Sequence, residues 1–112
     1  MTGKLRLPPL NALRVFHAVV RHKSFRQAAD ELLVTPQAVG QQIKLLEDTL
    51  QVTLFERKGR SIELTEAAIL LSHYVKAGFD EFAEGVRRVT KSTYRERINL
   101  NASPYFATRY LL

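Results

Sequence analysis

The chain has 112 residues, 46% apolar and 25% charged, with 17 basic side chains against 11 acidic for a net charge of +6. That length suits one ordinary domain, or one small domain with an extension, and the composition excludes wholesale disorder. The absence of cysteine excludes a disulfide scaffold, a cysteine zinc site, an iron–sulfur cluster and a thiol nucleophile, and no apolar run approaches the roughly 18 residues of a membrane helix.

In chain order, Pro8-Pro9 stops any earlier element, and Asn11 is placed as the N-cap of a first helix. Leu10 and Val15 have the spacing of a hydrophobic staple around that cap. Leu13, Phe16 and Val20 follow at helical spacing, with an end expected near His22-Lys23. Ser24 starts a second helix, with Gln27 at capping-box distance and Ala28, Ala29 and Leu32 on one face. After the short connection Leu33-Val34, Thr35 is an N-cap and Pro36 takes the first helical position, where its missing N–H costs nothing. This third helix is expected to reach about Leu50. Val39, Ile43, Leu46 and Leu50 form its buried stripe, while Gln37, Gln41, Lys44 and Asp48 lie on the opposite face.

The period then changes. Residues 54–57 and 61–64 are short strand candidates around Lys58-Gly59-Arg60, which predicts a β-hairpin with a basic tip. Thr65 is a further N-cap, with Leu64 and Ile69 spaced for a staple. A long helix is expected from Glu66 to about Ser92, ~40 Å in length. Val75, Phe79, Phe82, Val86 and Val89 step along it by alternating fours and threes, a heptad-like seam that calls for a partner helix. Residues 98–102 alternate like a strand, and the chain closes on an apolar, aromatic stretch. The expected organisation is a folded unit over 8–65, a linker or dimerisation helix over 66–92, and over 93–112 the start of a further domain. A lone strand cannot bury itself, so the chain reads as a piece of something longer.

Residues 1–65 hold ten basic and six acidic side chains, residues 66–92 four of each, and residues 93–112 three and one. The positive excess therefore sits in the first unit and the tail, which points to a polyanionic partner. The three histidines, His17, His22 and His73, have no metal-ligand spacing. There is no GxGxxG, no phosphate loop and no GxSxG. Nothing argues for a metal, a cofactor or an enzyme, and the chain reads as a cytoplasmic protein.

Two short helices, a tight connection, a third helix with a polar outer face and a basic hairpin make a mostly α, winged helix-turn-helix pattern. A helix fits the major groove, and its N-terminal residues meet base edges first. Gln37 and Gln41 suit bidentate amide contacts, for which adenine is the matching base. The helix start at Thr35-Pro36-Gln37 offers free N–H groups to a phosphate, and Lys44 suits a phosphate as a mobile point charge. Arg57, Lys58 and Arg60 on the hairpin can reach an adjacent minor groove. A winged-helix protein-interaction module would instead need an apolar outer face on the third helix. A small helical enzyme would need a clustered titratable site.

The stretches over residues 10–16, 24–32 and 34–47, continued by Leu54-Phe55-Glu56-Arg57 and Leu64-Thr65-Glu66, resemble the N-terminal domain of LysR-type transcriptional regulators. The opening Pro8-Pro9-Leu10-Asn11-Ala12-Leu13 looks closest to the glycine-cleavage-activator and β-lactamase-regulator branch, and residues 103–111 resemble the start of that branch's effector-binding domain. The resemblance implies a homodimer through the long helix, usually assembled into tetramers, on inverted repeats near a promoter. It also implies a small-molecule effector, bound by a C-terminal domain missing here. Base and phosphate contacts carried over by the resemblance fall on Thr35, Pro36, Gln37, Gly40, Gln41, Lys44, Arg57 and Arg60. Three positions depart from the family's habit. Gly40 stands where Ser is usual, Gln51 where a helix-ending Gly is common, and Ala68 where another Gly is common. A left-handed cap at Gln51 would be strained.

Overall fold

The computed structural model describes residues 7–99. Three helices come first: α1 over Leu10–His22, α2 over Phe25–Leu32 and α3 over Pro36–Leu50. The strands β1, Phe55–Lys58, and β2, Ser61–Leu64, follow, and then α4 over Glu66–Asn99. The chain divides into two compact units, with the boundary between Lys76 and Ala77 inside α4. No described helix is long and apolar enough to cross a membrane.

In the first unit α1, α2 and α3 pack against one another. The apolar spacing of α1 delivers Val15, Phe16 and Val19 to the core, which α2 meets with Ala28 and Ala29 and α3 with Val39, Ile43 and Leu46. Leu54 and Ala68 are also buried. Ala68 is thus a core residue at the start of α4. Leu50 is only half-buried, so the buried stripe of α3 ends at Leu46. Phe55 ties the hairpin to the helices, its ring 5.6 Å from Phe16 and 5.9 Å, edge-on, from Phe25.

The caps decide the helix ends. Ser24 caps α2, its Oγ accepting from the Gln27 N–H at 3.0 Å. Thr35 caps α3, its Oγ1 accepting from the Ala38 N–H at 3.1 Å, with Pro36 at the first position. Asn11 is not the cap of α1. Pro9, at φ −59° and ψ 142°, already presents its carbonyl to the N–H groups of Ala12 and Leu13, so the helix begins at Leu10. The Asn11 Oδ1 accepts instead from Arg14 Nε and Nη2 at 3.1 and 3.0 Å. Lys23, Leu33 and Gln51 close the three helices in the left-handed region, at φ 53°, 60° and 59°. Such a backbone costs a residue with a Cβ roughly 1–2 kcal/mol. The Gln51 side chain compensates locally, donating from Nε2 to the Asp48 carbonyl at 2.7 Å.

A clamp joins the end of α1 to α2. Glu31 accepts from Arg21 Nη2 at 2.6 Å and pairs with His22 Nε2 at 2.7 Å. The Arg21 hydrogen bond first, then that of His22, hold the Glu31 carboxyl down at about 2.

The strands are antiparallel, with Phe55 opposite Leu64 and Lys58 opposite Ser61. Gly59 and Arg60 make the two-residue turn. Gly59 sits at its first central position with φ 62°, where a hairpin of this length favours glycine.

α4 continues beyond Ser92 to Asn99, so Ile98 and Asn99 are helical where a strand was expected. Arg95, Glu96 and Arg97 are straight-chain helix formers, and no Gly or Pro stops the ladder before Ile98. The rest of the expected strand and the stretch over 103–111 lie outside the described residues.

Candidate nucleic-acid interface

Residues 37, 40, 41 and 44 recur at the spacing of one helical face. With Val39, Ile43 and Leu46 buried beneath, α3 turns Gln37, Gln41 and Lys44 outward, and all three are exposed. Gly40, half-buried, leaves the middle of the stripe bare, and a Cβ there would meet nothing within 4 Å. The Lys44 Nζ lies 3.9 Å from the Asp48 carboxylate, both side chains well solvated, a loose pair that leaves the ammonium available. The Thr35 hydroxyl oxygen is engaged as the cap of α3.

The hairpin is held beside α3 by two side chains. Glu47 of α3 accepts through Oε2 from the N–H groups of Leu54 and Phe55, at 2.8 and 3.4 Å. Thr65 donates its hydroxyl to the Thr53 carbonyl at 2.6 Å and accepts from the Ala68 N–H at 3.2 Å, joining the start of α4 to the approach to β1. The basic tip thereby gains a fixed root. Lys58 pairs at 3.8 Å with Glu63 on the facing strand.

Pro36, Arg57 and Arg60 come together in a cleft of about 260 Å³ whose other walls are Lys23, Ser24, Phe25, Arg26 and Ile62. Gly40, Lys44 and Arg57 line an adjoining hollow of about 200 Å³ together with Phe25, Ile43, Phe55, Ile62 and the acidic Glu47 and Glu56. Gln37 and Gln41 line neither. Lys23 and Arg26 were not singled out from the sequence. Their one signal there is that they flank the Ser24 cap, and the cleft takes shape only when α2, α3 and the hairpin are folded together.

The seam residues differ in environment. Val75 is buried and Phe79 half-buried, whereas Phe82, Val86 and Val89 are exposed, at 57%, 65% and 67%. Phe79 and Phe82 meet edge-to-face with centroids 5.8 Å apart. No group of three or more His, Asp or Glu side chains among the described residues is placed to hold a metal ion.

Residues 10–69 match the family described as bacterial regulatory helix-turn-helix protein, lysR family. The chain belongs to the LysR family. This LysR-family chain is 44% identical over 107 residues to the glycine cleavage system transcriptional activator of Escherichia coli K12, across 96% of its own length and 35% of that protein's. It is 42% identical over 104 residues to the HTH-type transcriptional activator AmpR of Citrobacter koseri, across 93% and 36%. It thus spans about a third of the length of the curated relatives it matches. Among solved structures it resembles BenM DBD in complex with catB site 1 DNA, with a TM-score of 0.70 and 30% identity over 74% of this chain and 92% of that one. Oxidised OxyR of Corynebacterium glutamicum gives a TM-score of 0.72 and 28% identity over 82% and 28%. The winged helix-turn-helix expected from the sequence is the fold of this LysR-family chain.

Proposed function

We propose that the chain is the sequence-specific, double-stranded-DNA-binding domain of a LysR-type transcriptional regulator, and that it binds an inverted-repeat promoter site as a homodimer. The observation that carries this reading is the exposed stripe of Gln37, Gln41 and Lys44 on α3, standing beside a basic hairpin rooted on the same helix. On this reading α3 enters the major groove, with Gln37 and Gln41 on base edges and Lys44 on a phosphate. Arg60 follows Gly59 at the hairpin tip and reaches the neighbouring minor groove, where a narrow A·T tract attracts arginine. The exposed Phe82, Val86 and Val89 support pairing through α4. The role is that of a regulator, without catalysis.

Fluorescence polarisation with the promoter DNA beside the gene and with a random duplex, across a salt series, tests the reading. Gln37→Ala or Gln41→Ala should lower discrimination at one base position by roughly 1–3 kcal/mol. Lys44→Ala should weaken both duplexes equally and make the salt slope shallower by about one. A parent chain without preference for promoter over random DNA overturns sequence-specific binding. Gln variants that weaken random DNA as much as the promoter are not base readers.

A further inference from the structure

We infer that Gly40 is a specificity-determining residue, and that the bare patch it leaves on α3 receives the 5-methyl group of a thymine. This rests on the DNA-binding reading and names one feature of the base sequence that the chain selects.

The fold gives Gly40 no reason to be glycine. It lies inside α3 without the positive φ that Gly59 adopts at the hairpin turn. A Cβ at Gly40 would meet nothing within 4 Å, so no close approach inside the chain excludes a side chain. Glycine also weakens a helix interior relative to alanine. A residue that costs stability and relieves no internal contact is explained by a contact outside the chain. Its place agrees with that. Gly40 lies one turn from Gln37 and one turn from Lys44, both exposed, and directly precedes the exposed Gln41.

The chemistry selects the group that fills the patch. Inside α3 the N–H and C=O of Gly40 belong to the helical ladder, so this position offers a partner no free donor or acceptor. It offers apolar Cα surface and room. Of the features that base pairs present in the major groove, the thymine C5-methyl is the apolar one, and the others are hydrogen-bond donors or acceptors. The hollow beside Gly40, of about 200 Å³, has the apolar Ile43 and Phe55 among its walls, and its cations Lys44 and Arg57 are matched by the acids Glu47 and Glu56. That balance of charge favours an uncharged group over an anion. A side chain at this position would take up the room and hold α3 further from the base edges. The flanking Gln37 and Gln41 carry amides suited to adenine, so the stripe as a whole favours A·T pairs.

The test removes the methyl group alone. Deoxyuridine pairs with adenine as thymine does and lacks only the methyl, so each thymine of the promoter duplex is replaced by it in turn. Affinities of the full 112-residue chain and of its Gly40→Ser and Pro36→Ala variants are read by fluorescence polarisation, with thermal melts to check folding. The parent should lose about fourfold at one thymine of each half-site, the worth of one apolar carbon taken out of water. Gly40→Ser should melt no lower than the parent and show no loss at that thymine. A parent that prefers promoter to random DNA yet binds every deoxyuridine duplex as tightly as the promoter overturns the methyl contact and leaves DNA binding intact. A parental loss at the same thymine in Gly40→Ser overturns the role of Gly40, and if Pro36→Ala abolishes that loss, the methyl is read by the proline ring. A parent with no preference for promoter over random DNA overturns the sequence-specific reading and this inference together.

Discussion

Gly40 and Gln51 each sit where the chain's own stability argues for another residue. Gly40 lies within α3, where glycine costs about 0.5–1 kcal/mol relative to alanine, and a Cβ there would touch nothing in the chain. Gly40→Ala should therefore raise stability by about that amount in a denaturant titration, while changing base preference where the bare stripe faces DNA. A stabilised variant with unaltered preference would leave Gly40 without a role in recognition. Gln51 holds φ 59° at the end of α3, so Gln51→Gly should stabilise by about 1 kcal/mol, less whatever the Asp48 hydrogen bond contributes; a lower melting temperature would show that bond to outweigh the strain. Both positions were legible in the sequence, since helix propensity and cap conformation are local properties. The Asn11 cap was misread because residue preference favours Asn over Pro at such a site, while the extended Pro9 carbonyl was already placed to receive the first helical bonds.

At the scale of elements, the hairpin depends on a carboxylate from α3. Glu47 satisfies the N–H of Leu54, a residue that is fully buried. Glu47→Ala should cost about 1–3 kcal/mol through the unpaired N–H. Amide exchange should speed up first at Leu54 and Phe55; unchanged exchange there would show that Phe55 packing alone holds the strand. The α1–α2 clamp gives a pH signature. The Glu31 pKa is depressed to about 2 from an ordinary 4.5, so its stabilisation is complete above pH 4.5 and fades as the pH falls towards 2. The pair is solvated, so the effect stays below about 1 kcal/mol. Melting temperatures of the parent and Glu31→Gln should converge across that window, and parallel curves would remove the clamp from the acid response. Helix spacing and the change of period at Leu54 made these elements readable along the chain. The clamp and the cleft lined by Lys23, Arg26, Arg57 and Arg60 were not, because each draws together residues of separate elements, and no periodicity reports such a distance. The helical Ile98 escaped for a simpler reason, as a short alternating run after an uninterrupted helix is weaker than the helix's own propagation.

At the scale of the whole molecule, recognition by one winged helix confronts a shortage of contacts, because a single α3 spans few base pairs. Two copies related by a two-fold axis would read two half-sites, and the symmetry of an inverted repeat would mirror that of the protein. Such an arrangement needs a self-complementary surface. Phe82, Val86 and Val89 follow one another at intervals of four and three on α4, and all are exposed, whereas Val75 is already buried within the chain. On the homodimer proposal the pairing surface would therefore be narrower than the full seam, and Phe82 and Val86 are the residues whose change would disturb it with least damage to the folded unit. Phe82→Ser/Val86→Ser should yield a monomer by analytical ultracentrifugation, with helical circular dichroism retained. Affinity for an inverted repeat should fall steeply, while affinity for an isolated half-site stays close to the parent's, since α3 and the hairpin are untouched. A parent chain that remains monomeric at tens of micromolar would remove α4 from this role, and an equal loss on half-site and repeat would mean that the variant had damaged the reader rather than the pairing.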